Sequence, residues 1–161
     1  MPMTNFTILI VEDDEPKLRA INQFIRDEFS GVTINIAESL TSAINSLVSS
    51  HVDFAIVDMS LPTYDFSQDR AGGGKPQGFG GEDILRFIEA ESNWTTSVVL
   101  TQYEEFPLAN NDGRRSLQGL SDDLRNELGS GFFGVIHYSG QHGEWRTSIK
   151  QMILSVMEKP L

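Results

Sequence analysis

Apolar runs rich in Ile, Val and Phe alternate along the chain with stretches whose apolar residues recur every three or four positions. That alternation is the sequence form of a parallel sheet covered by helices on both faces. Strands are predicted at Phe6 to Val11, Phe54 to Val57, Ser97 to Thr101 and Phe133 to Tyr138, which are nearly continuous apolar runs, and at Val32 to Ile36, which alternates. The first helix should start around Pro16, a good first-turn residue, with Asp14 or Glu15 near its positive end and a stripe of Leu18, Ile21, Phe24, Ile25 and Phe29. Gly31 should stop it. Ser39 or Thr41 can cap a second helix running through Val48, and Glu82 to Ala90 carries Ile84, Leu85, Phe87 and Ile88 as a third. Leu117 to Leu128 is a weaker fourth helix. The last, about Glu144 to Met157, puts Trp145, Ile149, Met152, Ile153 and Val156 on one face, a stripe that reads as core rather than as a binding surface.

With no internal repeat, coiled-coil heptad or linker between two halves, the pattern is that of one doubly wound α/β domain with a five-stranded parallel sheet. The length of 161 residues suits one such unit. Two connections exceed the roughly 2 to 6 residues usual between strand and helix, and both leave the same end of the sheet. The first, about 63–80, holds Asp-Arg-Ala-Gly-Gly-Gly-Lys-Pro-Gln-Gly-Phe-Gly, which buries little and is entropically costly to order. It is expected to be a mobile flap beside Asp58 that proteases nick first near Arg70 or Lys75. The second, about 103–116, contains Asn-Asn-Asp-Gly-Arg-Arg and reads as a lengthened loop.

Composition narrows the functional classes. Hydrophobic residues make up 39% and charged residues 22%, within the range of folded soluble proteins. There is no cysteine, hence neither disulfides nor thiolate metal sites, and the N-terminus lacks a basic segment followed by an apolar run, so a cytoplasmic location without membrane insertion is expected. A formal charge of −11 argues against direct nucleic-acid binding, whose affinity comes largely from Lys and Arg on phosphates, and points to a protein partner.

The candidate chemistry sits where ligands of open α/β sheets bind, outside the carboxyl ends of the strands. Glu12, Asp13 and Asp14 follow the first strand and Asp58 follows the third, so folding should crowd several carboxylates into one crevice. Mg²⁺, a hard ion with oxygen ligands, is the natural neutraliser. With it, Asp58 becomes the candidate nucleophile toward phosphorus, because carboxylates form aspartyl-phosphates while a metal offsets charge on the transferred group. Taken alone, the acid triplet reads equally well as a solvated turn entering a helix. Joined to Asp58 and to Thr101 at another strand end, it reads as a site. His51, His137 and His142 have no ligand spacing, and Lys75 fails as a phosphate-loop lysine because Pro76 stands where Ser or Thr is needed.

Three segments in order, Ile-Leu-Ile-Val-Glu-Asp-Asp, Phe-Ala-Ile-Val-Asp-Met-Ser-Leu-Pro and Val-Val-Leu-Thr, resemble the receiver domains of two-component response regulators over most of the chain. The resemblance implies the flavodoxin-like strand order 2-1-3-4-5. It further implies Mg²⁺ bound by Glu12, Asp13, Asp58 and the Ser60 carbonyl, with Asp58 as phospho-acceptor and Thr101 as the hydroxyl that binds the phosphoryl group. Gly-Glu-Asp-Ile-Leu-Arg-Phe-Ile from Gly81 is similar to the family's third helix, which makes the Gly-rich stretch before it an insertion. The implied partners are a sensor histidine kinase or phosphotransfer protein and a downstream protein. No effector domain is expected after the receiver-like region, and output is expected through partners or through dimerisation.

The fifth strand departs from the family pattern of a lysine followed by proline, reading Gly-Val-Ile-His-Tyr-Ser-Gly. Aligning Gly134 with the small residue before the family's switch aromatic puts Val135 at the aromatic position and Tyr138 at the lysine position. A phenol supplies no cation at neutral pH, leaving His137 or Lys75 as the candidates to compensate. Gln102 likewise stands where the family prefers a small residue, which would narrow access to Asp58. Coupling of Asp58 to the fifth strand and last helix is therefore expected to be weak. Three functional classes follow: a phosphorylation-controlled receiver that is not itself an enzyme, a phosphorylation-independent pseudo-receiver serving as an interaction module, and a Mg²⁺-dependent phosphotransfer or phosphatase enzyme. The last is disfavoured because Met59 and Ser60 after Asp58 do not make the Asp-x-Asp signature of haloacid-dehalogenase-like phosphatases.

Overall fold

The computed structural model describes residues 6–61, 80–107, 114–140 and 143–158. Seven strands occur among the described residues: β1 (Thr7–Val11), β2 (Thr33–Ala37), β3 (Phe54–Val57), β4 (Thr96–Thr101), β5 (Glu105–Pro107), β6 (Arg114–Ser116) and β7 (Phe132–His137). The same residues form five helices: α1 (Glu15–Glu28), α2 (Leu40–Ser49), α3 (Gly80–Glu91), α4 (Leu117–Leu128) and α5 (Glu144–Met157). The main sheet has the order β2-β1-β3-β4-β7 with every pairing parallel, the doubly wound order 2-1-3-4-5 that the resemblance implies.

The period-two alternation of the strands divides the core. Leu9, Val11, Ala55, Val57 and Val99 point to the face covered by α2, α3 and α4, where they meet Leu47, Ile84, Leu85, Leu120 and Leu124. Ile8, Ile10, Phe54, Ile56, Val98 and Leu100 point to the face covered by α1 and α5, against Ile21, Phe24, Ile25, Trp145 and Ile149. Burial on both faces explains why the central strands read as continuous apolar runs. Asp14, one of the two acids expected at the start of α1, caps it by accepting from the Lys17 N–H, and Ser39, one of the two candidates for α2, accepts from the Ser42 N–H while its own N–H donates to Ser42 Oγ. Ser116, not predicted as a cap, caps α4 by accepting from the Gly119 N–H. Gly31, with φ 84°, lies beyond the Phe29 C-cap and turns the chain into β2.

Two features of the fold shape the site. Gly81 abuts the end of β3, its N–H donating to the Met59 carbonyl at 2.9 Å; a Cβ there would overlap the Asp58 carbonyl oxygen and come within 2.7 Å of the Met59 Cα. Only glycine lets α3 begin this close to Asp58. In β7, Gly134 takes φ 117° beside a register shift against Ser97 and Val99, and the Arg125 guanidinium fills the space a Cβ would need, donating to the Phe133 carbonyl at 2.8 Å. That irregularity sets the aim of the residues that follow it.

The connection at about 103–116, expected as a loop, contains β5 and β6 paired antiparallel as a separate two-stranded sheet. Three-residue strands flanking Asn-Asn-Asp-Gly leave too short an apolar pattern to register as strands. The inserted stretch 62–79, with Arg70 and Lys75, lies outside the described residues, as does His142. Among the described residues no helix is long and apolar enough to cross a membrane.

Candidate functional site

The site begins at the carboxyl end of β1, where the chain leaves the sheet as Glu12, Asp13 and Asp14. The Glu12 N–H donates to the Ala37 carbonyl of β2 and the Asp58 N–H donates to the Val11 carbonyl of β1, each at 3.0 Å, so main-chain pairing holds both residues in register at the carboxyl ends of two central strands. Asp14 turns away to cap α1, while its own N–H donates to a Glu12 carboxylate oxygen at 3.1 Å. Carboxylate oxygens of Glu12, Asp13 and Asp58 lie within 4.8 Å of one another. Glu12 and Asp58 are buried, at 1% and 6% exposure, and Asp13 is half-buried.

Burial sets the electrostatics. Loss of water pushes the Glu12 carboxyl up from 4.5 to about 7, against the pull of the Lys17 ammonium and with a further push from the Asp58 charge. Asp13 rises through burial and then through the Asp58 charge; Asp58 rises through burial, opposed by the charge and hydrogen bond of Lys17. Three crowded, desolvated carboxylates offer a hard-oxygen donor set that fits a divalent cation such as Mg²⁺.

Thr101 closes β4 on the other side of β3. It is fully buried, its Oγ1 accepts from the Tyr103 N–H at 3.2 Å, and its carbonyl accepts from the Tyr138 N–H at 2.7 Å. Ser60 follows Asp58 by two residues and is half-buried. Val135 is half-buried against the α2, α3 and α4 face, whereas Tyr138 packs on the opposite face, its ring centroid 5.2 Å from that of Trp145. His137 points outward, with Nε2 3.7 Å from Glu104 Oε1, and Gln102 is exposed.

The chain matches no family model. It is 26% identical over 148 residues to the uncharacterised protein y4jR of Sinorhizobium fredii (strain NBRC 101917 / NGR234), covering 92% of this chain and 97% of that protein. It is also 26% identical over 151 residues to the Detocs response regulatory protein DtcB of Enterobacter cloacae (strain JD6301), covering 91% and 97%. Among solved structures, the receiver domain of the sensor histidine kinase PA1611 of Pseudomonas aeruginosa PAO1, with a magnesium ion coordinated in its active site cleft, superposes with TM-score 0.61 at 17% identity, over 96% of this chain and 99% of that one. The chain has the fold of a response-regulator receiver domain.

Within that receiver fold, one residue at the acid cluster was not predicted. Lys17, in the first turn of α1, is 1% exposed, and its ammonium lies 2.6 Å from Glu12 Oε1, 3.2 Å from Asp58 Oδ1 and 2.6 Å from the Leu100 carbonyl. It also stands 5.6 Å from the centroid of the Tyr138 ring. His137, named as a compensating cation, faces Glu104 instead, because the last residues of β7 carry it to the exposed side. The signal for Lys17 was a lysine three residues past a capping acid and in phase with Ile21 and Phe24 on a stripe that otherwise goes to the core.

Proposed function

We propose that the chain is a phosphorylation-controlled receiver of two-component signalling that holds Mg²⁺ and accepts a phosphoryl group on Asp58. The observation that carries the reading is the convergence of Glu12, Asp13 and Asp58 within 4.8 Å around a buried aspartate at the strand ends of a receiver fold. Glu12, Asp13, Asp58 and the Ser60 carbonyl are the proposed metal ligands. When bound, Mg²⁺ supplies positive charge that offsets the charge gathering on the transferred group. The chain's residues do the rest: Asp58 attacks, Thr101 binds a phosphoryl oxygen through its hydroxyl, and β3 and α3 keep Asp58 fixed through the Gly81 contact.

The donor in this reading is a histidine kinase or a phosphotransfer protein, in the cytoplasm, and the output is altered binding of a downstream protein or a second copy rather than turnover of a diffusible substrate. The likeness to a response regulatory protein and to a magnesium-bound receiver supports it. One observation favours the second reading, a pseudo-receiver: the Lys17 ammonium already offsets part of the charge of Glu12 and Asp58. Incubation with acetyl phosphate and Mg²⁺ followed by intact-mass measurement decides between them. One phosphoryl group, lost in Asp58→Asn, is the expected result; no adduct on folded protein would leave the pseudo-receiver.

A further inference from the structure

We propose that Lys17 is the phosphoryl-binding cation of this site, delivered from the first turn of α1 rather than from the fifth strand of the sheet, with Tyr138 as the residue that positions it. The assignment rests on the receiver reading above and adds a residue to it.

Transfer of a phosphoryl group to Asp58 places new negative charge in a crevice that already holds three carboxylates. The Asp58 oxygen forms a bond to phosphorus as the donor's bond to phosphorus breaks, the electron pair leaving with the donor, which takes up a proton. The carboxylate charge is thereby exchanged for charge on the phosphoryl oxygens one bond further out. A cation is needed that can follow it. Among the described residues, Lys17 is the side-chain cation in contact with Asp58, at 3.2 Å from Oδ1.

The geometry suits a shift of that kind. An ammonium has three donors, and those of Lys17 have three acceptors: the Leu100 carbonyl at 2.6 Å, Glu12 at 2.6 Å and Asp58 at 3.2 Å. The Leu100 carbonyl is a fixed main-chain anchor next to Thr101. The Asp58 contact is the longest of the three and involves the atom group whose charge moves on phosphorylation. Lysine acts as a point charge on a flexible stem, so it can turn from a carboxylate oxygen to a phosphoryl oxygen without a new backbone position. Tyr138, at the position where a lysine would otherwise stand, presents its ring 5.6 Å from the ammonium and is itself held against Trp145 at 5.2 Å and by its N–H to the Thr101 carbonyl. The aromatic face attracts the cation and keeps it over the crevice. The missing cation and the unexpected phenol are thus two halves of one arrangement.

The test compares the wild type with Lys17→Met, Tyr138→Lys and the double variant Lys17→Met/Tyr138→Lys, each checked for folding by circular dichroism in millimolar Mg²⁺. The rate of Asp58 phosphorylation by acetyl phosphate should fall about a hundredfold in Lys17→Met, in the range found for loss of one preorganised charge-stabilising donor. It should recover at least tenfold in the double variant, which returns an ammonium from the strand side. Mg²⁺ affinity, from amide shifts near Asp13, should not fall in Lys17→Met, which separates a phosphoryl-binding role from mere upkeep of the cluster. As a measurement that needs no variant, the buried ammonium resonance of Lys17 in the wild type should shift on adding beryllofluoride with Mg²⁺. A folded Lys17→Met that phosphorylates at the wild-type rate, or an ammonium resonance that ignores beryllofluoride while the Asp58 amide responds, overturns this assignment and leaves the receiver reading intact. A wild type that neither takes up phosphate nor responds to beryllofluoride at Asp58 sinks that reading and this one with it.

Discussion

The strand ends of β1 and β3 and those of β4 and β7 lie side by side in one sheet, yet they are built on different terms. At β1 and β3 the main chain places Glu12, Asp13 and Asp58 directly, each within two residues of a strand terminus, and the result is a dense negative cluster. At β4 and β7 the terminal residues bring no charge to the crevice: Thr101 is a buried hydroxyl, Val135 packs into one core face, Tyr138 offers an aromatic face, and His137 points away toward Glu104. Among the described residues, the cation between the two pairs, Lys17, comes from α1. Acids that share a metal must converge to within a few ångströms and so depend on strand register, whereas one long flexible cation needs only reach and a buried path. Its point of attachment is therefore the freer choice.

The largest effect should come from removing the cation that bridges the two regions. Lys17→Met leaves Glu12 and Asp58 buried without their partner, and loss of one member of a buried ion pair costs about 3–5 kcal/mol. Urea unfolding at pH 8 in EDTA should show that loss, and millimolar Mg²⁺ should shrink it. A variant as stable as the wild type in EDTA would mean that Lys17 is incidental to the cluster.

The pH dependence comes next. Folding raises the Glu12 pKa from 4.5 to about 7 and moves Asp13 and Asp58 the same way, so between those values the native chain binds more protons than the unfolded one. Stability from Glu12 is then fully present below about 4.5 and is lost as pH rises through about 7, up to about 3 kcal/mol in all. Melts in EDTA should therefore give a lower midpoint at pH 8 than at pH 5.5, and the difference should close when Mg²⁺ replaces the protons. A midpoint that rises over this range would contradict a desolvated cluster.

The smallest effect separates the aromatic ring of Tyr138 from its hydroxyl. Tyr138→Leu should cost about 1 kcal/mol through the lost contact with the Lys17 ammonium. Tyr138→Phe keeps the ring face and should be close to neutral. Equal losses in the two would assign the cost to the phenol instead and break the link drawn between β7 and α1.

How much of this was legible in the sequence follows from the range of each interaction. Strands β1, β3 and β4 and helix α4 are set by local apolar patterning and caps, and their predicted limits lie within one residue of those observed. The acid cluster was legible because Glu12, Asp13 and Asp58 sit next to strand termini, and topology alone brings those termini together. Lys17 was not, because its role depends on α1 packing so that its buried stripe continues to the crevice, a tertiary fact that a lysine in a first turn does not announce. The β5–β6 hairpin escaped for the opposite reason: three-residue strands carry too little pattern to stand above the polar residues between them. Val135 and Tyr138 were singled out as departures, but their meaning needed the position of a residue more than a hundred places earlier in the chain.

The most direct test of the central claim, that Glu12, Asp13 and Asp58 form one divalent-cation site, is a thermal melt with and without millimolar Mg²⁺ on the wild type and on Asp13→Ala. An ion that binds only the folded chain stabilises it by about 2.7 kcal/mol at a hundredfold excess over its dissociation constant. The wild type should therefore melt several degrees higher with Mg²⁺ than without, and Asp13→Ala should show little of that gain. Wild type and variant that each melt at the same temperature with Mg²⁺ and without it would contradict the account.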